Sequence, residues 1–148
     1  LSLKQRRCEA SSLFSDIKQT NKPSVLLTDL NDKEFSLTID VLSNIKYHEN
    51  NLSKDEYLLL DAYHLDKKEL YNPHPEFKGI KRVPTSYFAG KGNVLDYIFI
   101  SSHFDKKKKN NIGKVSSYEV FNKHLEKNQN GSLLQSDHAQ VVCEIEYL

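Results

Sequence analysis

Residues 134–148 place the tightest constraint on the fold of this chain. Within them, residues 139–147 carry apolar side chains at nearly every second position, which is the period of a strand with one buried face. Such a strand cannot bury that face alone, so the chain must form a sheet that packs against a second layer. Ser136-Asp137-His138 stands immediately before this strand, so a carboxylate and an imidazole are held at a fixed strand end.

The length of 148 residues and the apolar content of 38% predict a single globular domain, residues 1–148. The net charge of +1 gives no overall attraction to nucleic acid, and no apolar run is long enough to predict a membrane span. Cys8 and Cys143 have no Cys-x-x-Cys spacing and are expected to be reduced, the alternative being a disulfide. No signal peptide is visible, but the chain opens with Leu1 rather than Met. The compartment therefore stays open, with the cytoplasm favoured over the exterior.

A helix and then a buried strand are predicted at the start of the chain. Residues 2–20 carry apolar side chains at helical spacing, and Pro23 ends this helix because proline cannot continue it. Residues 24–28 form a short apolar run between turn signals, which predicts a buried strand. The strand runs into Asp29 and Asn31, and ligands of open α/β sheets gather at such strand ends. The sequence thus predicts an α/β (α+β) domain with polar groups at one sheet edge.

The middle of the chain is predicted to contain a β-hairpin. Residues 83–88 and 94–100 favour strands, and the five residues between them are rich in glycine. The second strand carries Asp96 within its apolar run, and a buried carboxylate requires a partner, since an unpaired one is strongly destabilising. The other predicted elements are helices over residues 35–45 and from Ser53 through Leu60, loops over 66–82 and 105–113, a strand over 114–120, a helical or extended segment over 121–127 and a turn over 128–131.

Several charged or polar residues are interpreted as structural or solvent-facing. Four consecutive lysines, residues 106–109, fit a solvated loop, and the alternative is a patch that binds phosphate groups. Four histidines have no motif around them and are interpreted as surface or structural residues: His64, His74, His103 and His124.

Three short motifs occur in a fixed order along the chain. They are Leu27-Thr28-Asp29-Leu30-Asn31 after a strand, Leu95-Asp96-Tyr97-Ile98 within a strand, and Ser136-Asp137-His138 before the last strand. In this order and these contexts, they resemble the motifs of the endonuclease/exonuclease/phosphatase superfamily of metal-dependent phosphoester hydrolases. Singly, each motif is weak, because the first fits an ordinary turn and the third an ordinary loop cap. The sequence also departs from the family pattern at Thr28, where the family usually has glycine.

The resemblance implies one half of a two-sheet α/β sandwich of the deoxyribonuclease-like type, with a mixed or antiparallel sheet and flanking helices. It implies that Asp29 orients or deprotonates the attacking water, and that Asn31 and His138 contact the phosphate. Asp96 would fix the tautomer of His138, and Asp137 would lie beside a Mg²⁺ or Mn²⁺ ion, since hard cations prefer carboxylate oxygens. The implied substrate is a phosphodiester or phosphomonoester, whether nucleic acid, phospholipid or inositol phosphate.

The chain is shorter than the family domain, whose N-terminal half supplies a metal-binding glutamate and a second catalytic histidine. We therefore interpret residues 1–148 as the C-terminal half of such a domain, expected to be inactive alone. It is expected to pair with the missing N-terminal half, or to form a homodimer, through an exposed sheet face. Whether the chain belongs to an enzyme stays open. The alternatives are a non-catalytic binding or interaction module on the same fold, and an unrelated α/β domain with accidental motifs.

Overall fold

The computed structural model describes residues 2–48, 56–66, 82–127 and 136–148. Within these ranges, helices pack against antiparallel sheets in an α+β arrangement. None of the helices in these ranges combines the length and the hydropathy needed to cross a bilayer. The elements in chain order are α1 (Leu3–Thr20), β1 (Val25–Asp29), α2 (Leu37–Ser43), β2 (Leu59–Asp61), α3 (Ala62–Asp66), β3 (Ser86–Phe88), β4 (Lys91–Asn93), β5 (Asp96–Ser101), β6 (Gly113–Phe121), α4 (Lys123–Lys127) and β7 (Gln140–Tyr147), with 3₁₀ turns at Ile45–Tyr47 and Ser102–Phe104.

Helix α1 agrees with the helix predicted over residues 2–20. Ser2 and Gln5 form a capping box, in which each side chain accepts a hydrogen bond from the backbone amide of the other residue. Asn21 ends the helix in the left-handed conformation, with φ of 50°. Ala10 and Phe14 are buried on the inner face of the helix, which fixes α1 against the rest of the domain.

The central sheet has the order β1-β5-β2 and is antiparallel throughout. One face of β5 carries Tyr97 and Phe99, which pack with Leu42 of α2 and with Ala10 in one hydrophobic core. The opposite face carries Ile98 and Ile100, which lie in a second core. The sheet is therefore the middle layer, with helices α1 and α2 on one side.

The long hairpin of β6 and β7 forms the layer on the other side of the sheet. Its strands pair antiparallel, with a register irregularity between Val115 and Ser117. Val115 and Tyr118 of β6 lie in the second core, and partly buried Cys143 and Ile145 of β7 pack against it. The alternation predicted for residues 139–147 is confirmed, because alternate residues of β7 face this core. Both cysteines are free thiols, as predicted.

Two predictions about the middle of the chain are wrong. The apolar run predicted to continue a helix through Leu60 forms strand β2 instead, because Leu59 and Leu60 pair with the end of β5. The predicted hairpin of residues 83–88 with 94–100 is also not formed. Strand β3 pairs with β4, which lies inside the predicted turn. Strand β5 pairs with β1 and β2 instead. Most of the loop predicted over 66–82, with His74, and most of the turn at 128–131 lie outside the described residues.

A buried ion cluster centred on Arg82 joins the two cores. The Arg82 guanidinium donates to both carboxylate oxygens of Asp61, at 2.5 and 3.1 Å, and to Glu34 at 2.7 Å. It also donates to the Tyr118 hydroxyl at 3.1 Å and lies 4.3 Å from the centre of the Tyr63 ring. Burial raises the pKa of Glu34, but hydrogen bonds from His64 and Arg82 outweigh burial and leave this pKa below its ordinary value. The cluster thus brings the buried carboxylate of Asp61 and the partly buried carboxylate of Glu34 to one guanidinium group.

Candidate active site

The central sheet places Asp29 and Asp96 side by side. Asp29 is the last residue of β1 and Asp96 the first of β5, and the two are direct partners in the antiparallel register. Residues directly opposite one another on paired strands project from the same face of a sheet. A further bond from the Leu30 amide to the Leu95 carbonyl, at 2.9 Å, closes this end of the sheet. Two residues that are 67 positions apart in the sequence thereby form one acidic corner.

His138 completes this corner from the segment that leads into β7. Its Nδ1 lies 2.7 Å from Oδ2 of Asp96, and its Nε2 lies 4.0 Å from Oδ2 of Asp29. An antiparallel bridge between His138 and Ser86 fixes the backbone at this point. The His138 side chain is 29% exposed, so a solvent-borne ligand can reach it. The three motifs recognised in the sequence therefore meet in space.

Folding raises the pKa of His138 above its ordinary value of 6.5. Partial burial alone lowers this pKa, but the hydrogen bond with Asp96 and the negative charges of Asp96, Asp29 and Asp137 outweigh it. The protonated imidazolium is therefore favoured in the folded protein. Because the folded pKa is the higher one, the ion pair stabilises the fold fully below the ordinary pKa. This contribution is lost as the pH rises through the raised value.

Asn31 touches the corner through its backbone. It has a left-handed φ of 50°, and its amide donates to Oδ1 of Asp29 at 3.1 Å, which is an Asx turn. This bond orients the Asp29 carboxylate, whose side chain is 55% exposed. The Asn31 side chain is exposed beside it. The ordinary turn, which is the alternative interpretation of this motif, is thus present. The same turn orients the Asp29 carboxylate.

Carboxylate oxygens in this corner suit a hard cation. Asp29, Asp96 and His138 each offer an atom that lies within 4.8 Å of the others. Two of these three groups are carboxylates, whose oxygen atoms are the donors that hard cations prefer, so Mg²⁺ or Mn²⁺ is the fitting class of ion. Asp137 is exposed and lies outside this three-residue group, although its charge acts on His138. Its role as a metal ligand stays a prediction.

A second acidic group with a histidine has a different explanation. Glu34, Asp61 and His64 also bring their side-chain atoms within 4.8 Å of one another. Arg82 already bonds both carboxylates, so a cationic side chain occupies the position that a metal ion would need. We interpret this group as a structural ion cluster, so of the two roles predicted for His64, surface or structural, the structural one fits.

Two further residues form hydrogen bonds to the backbone around the corner. His124, predicted to be a surface or structural residue, places its Nε2 3.1 Å from the backbone oxygen of His138. Asn122 donates from its side chain to the backbone oxygen of Pro84 at 3.2 Å, next to the residues that bridge to His138. Sequence periodicity gives no signal for either contact, because both follow from the packing of the β6–β7 hairpin beside β3.

A shallow groove of about 340 Å³ runs from the two carboxylates along the sheet. Apolar side chains of Leu27, Ile98 and Val141 contribute to its wall, and Leu27 is 72% exposed. The lysines of residues 106–109 lie elsewhere, in the loop beyond the far end of β5. With about 3.4 Å per strand residue, Asp96 and Ser101 lie about 17 Å apart, so this loop does not line the corner.

No family model, curated protein or solved structure matches this chain. The resemblance to the endonuclease/exonuclease/phosphatase superfamily therefore stays a prediction from the three sequence motifs.

Proposed function

We propose that this chain carries part of the active site of a metal-dependent phosphoester hydrolase of the endonuclease/exonuclease/phosphatase superfamily. The observation that supports this most strongly is the convergence of Asp29, Asp96 and His138 from three distant parts of the sequence. Hydrolysis of a phosphoester requires a positioned water and groups that neutralise charge on the phosphoryl oxygens. A solvent-accessible imidazole that contacts two carboxylates supplies groups of both kinds.

Each residue of the corner has a definite task in this proposal. His138 contacts the phosphate, because its raised pKa favours the imidazolium, which stabilises developing negative charge or donates a proton. Asp96 fixes the imidazole orientation through the 2.7 Å contact with Nδ1. Asp29 orients or deprotonates the attacking water, and the exposed carboxamide of Asn31 donates a hydrogen bond to the phosphate.

The proposed cofactor is Mg²⁺ or Mn²⁺. Asp29 offers an exposed carboxylate to such an ion, and Asp137, which is exposed and whose charge acts on His138, is the ligand that the resemblance implies. When bound, such an ion supplies Lewis-acid polarisation of a phosphoryl oxygen. Two carboxylates leave most of its coordination sphere to water or to other ligands. The substrate is a phosphodiester or phosphomonoester in nucleic acid, phospholipid or inositol phosphate.

The proposal is tested by measuring Mg²⁺-dependent hydrolysis of bis(p-nitrophenyl) phosphate. We expect little turnover by the 148-residue chain alone, because it supplies few metal ligands. We expect turnover by the full open reading frame, and loss of that turnover in EDTA. Robust turnover by the isolated chain would contradict the assignment of a partial site. Turnover that persists in EDTA would contradict the metal requirement.

The apolar face beside the corner supports a second part of the proposal, which concerns a covering partner. Val25 and Leu27 of β1 are 47% and 72% exposed, although both share a sheet face with buried Ile98 and Ile100. Strand β1 pairs only with β5 within the described residues, so its outer edge is available for pairing. We propose that an N-terminal half of the same domain, or a second copy of the chain, covers this face.

The covering partner predicts self-association of the chain by itself. At micromolar concentration, sedimentation velocity is expected to detect a dimer or larger species, because large apolar patches drive association. Leu27→Lys places a charge in the patch and is expected to shift the chain towards monomer. The matched control is Leu13→Lys, which places the same charge on an exposed position of α1. A clean wild-type monomer, or equal effects of the two variants, would count against this interface.

The same exposed face favours the alternative function, a non-catalytic binding module. In that case, the full open reading frame would bind a partner through β1 and would show no metal-dependent turnover. The hydrolysis assay described above therefore separates the two functions.

A further inference from the structure

The short segment Pro84–Ser86, here called the strap, connects the two layers of the domain at the corner. Ser86 forms a bridge with His138 and also pairs with Asn93 in the β3–β4 hairpin. Asn122 of the β6–β7 layer bonds the Pro84 carbonyl. Thr85, at the centre of the strap, is only 1% exposed. The strap thus touches both elements that carry the Asp96–His138 pair.

Thr85 bonds directly to the backbone on both sides of this pair. Its hydroxyl oxygen accepts hydrogen bonds from the amides of Leu95 and Asp96, at 3.0 and 3.1 Å. Its carbonyl accepts a hydrogen bond from the amide of Ala139 at 2.8 Å, one residue after His138. Its own amide donates to the Asn93 carbonyl at 2.9 Å. One buried residue therefore bonds the backbone at Asp96 and the backbone next to His138.

The side-chain contacts are specific to a hydroxyl group. A hydroxyl oxygen has two acceptor lone pairs, which match the two amides that it receives here. These amides belong to the first residue of β5 and to the residue before it, where the ladder with β1 ends. A methyl group in the same place would leave both amides without this acceptor, and Asp96 would lose its anchor to the strap.

We propose that Thr85 is the positioning residue of the corner, which sets the separation between the Asp96 carboxylate and the His138 imidazole. The inference rests on the proposed function for the use of the pair, but the positioning itself is a structural property. The amides of Asp96 and Ala139 are both bonded to Thr85. Any movement of β5 relative to the strap therefore changes the 2.7 Å distance between Asp96 Oδ2 and His138 Nδ1. The competing explanation is that Thr85 only fills space in the interior.

Thr85→Val and Thr85→Ser distinguish the two explanations. Valine keeps the size of threonine and removes the hydroxyl, whereas serine keeps the hydroxyl. The first readout is the low-field proton resonance of His138 Nδ1–H, assigned by its absence in His138→Gln. The second is hydrogen exchange at the Leu95 and Asp96 amides, divided by exchange at the Phe99 amide in the middle of β5. That ratio separates local release from global unfolding.

We expect wild type and Thr85→Ser to show the resonance, and Thr85→Val to lose it. We also expect the exchange ratio of each of the two amides to rise roughly tenfold in Thr85→Val, because each amide loses one buried hydrogen bond. An intact resonance with an unchanged ratio in the valine variant overturns the inference, even if its melting temperature falls. If Thr85→Val does not fold, Thr85→Cys is measured in its place, because a thiol is a weaker acceptor than a hydroxyl. An unchanged resonance and an unchanged exchange ratio in Thr85→Cys would also overturn the inference. Neither readout uses catalysis, so failure of the hydrolysis assay would remove the proposed function without deciding the role of Thr85.

Discussion

Replacing Arg82 with methionine is expected to lower the free energy of unfolding by about 3–5 kcal/mol. The Arg82 side chain is 3% exposed, and the Asp61 carboxylate that it bonds twice is 7% exposed. Methionine fills much of the same space but leaves the Asp61 carboxylate in the interior without this partner. Breaking a buried ion pair from one side is costly for this reason, although the intact pair itself stabilises little.

The effect of Arg82→Met is measured by urea unfolding at neutral pH. Lys114→Met is the matched control, because Lys114 pairs with Glu146 at 3.0 Å while both side chains are about half exposed. A surface pair of this kind contributes less than about 1 kcal/mol. Adding Asp61→Leu to Arg82→Met is expected to restore part of the lost stability, since the unpaired carboxylate is then removed. Similar losses of unfolding free energy for Arg82→Met and Lys114→Met would show that the buried cluster around Arg82 stabilises the fold no more than a surface ion pair does.

Replacing His138 with alanine is expected to reduce metal-dependent phosphodiester hydrolysis by roughly 10²–10⁴-fold, the range for loss of a proton-transferring group. The change also leaves Asp29 and Asp96 opposite one another without the imidazole that contacts both carboxylates. The phosphate would then approach two carboxylates, which repel it. The measurement is kcat and KM for bis(p-nitrophenyl) phosphate with the full open reading frame.

The control for His138→Ala is His103→Ala. His103 is a partly buried histidine whose Nδ1 lies 2.9 Å from the Ser101 hydroxyl, at the other end of β5. We expect its replacement to leave kcat close to the wild-type value. Equal losses of activity for the two variants at equal folded fractions, checked by circular dichroism, would remove His138 from the proposed chemistry.

The elements predicted correctly from the sequence are those whose local pattern and tertiary environment agree. Helix α1 has a capping box at its start and an apolar face, and β7 alternates against a core on one side only. The run at Leu59 and Leu60 fits a helix or a strand equally well. Its pairing with β5, about 40 residues further along, decides the outcome. The predicted hairpin failed for the same reason, because β5 has two partners that no local pattern reveals.

The residues of the candidate site also divide into those that the sequence predicts and those whose contacts depend on tertiary packing. Asp29 and His138 are predictable because each stands at a strand end in a recognisable motif, and strand ends are where sheets gather side chains. Asp96 is predictable because a carboxylate within an apolar strand requires a partner. The bonds of Thr85 and His124 were not predictable, since both depend on how the strap and the β6–β7 hairpin pack. Arg82 lies at the end of a segment interpreted as loop, and nothing near it in the sequence indicates its two carboxylate partners, Asp61 and Glu34.

The pairing of Asp29 with Asp96 also indicates where this protein tolerates insertions and deletions during evolution. One residue added inside β5 would turn Asp96 towards the helices, because neighbouring side chains of a strand point to opposite faces. A residue added among the lysines at 106–109 would lengthen a connection at the opposite end of the sheet and leave that pairing unchanged. Homologous sequences are therefore expected to keep a constant number of residues from Thr85 to Asp96 and from His138 into β7, while the lysine-rich connection varies in length.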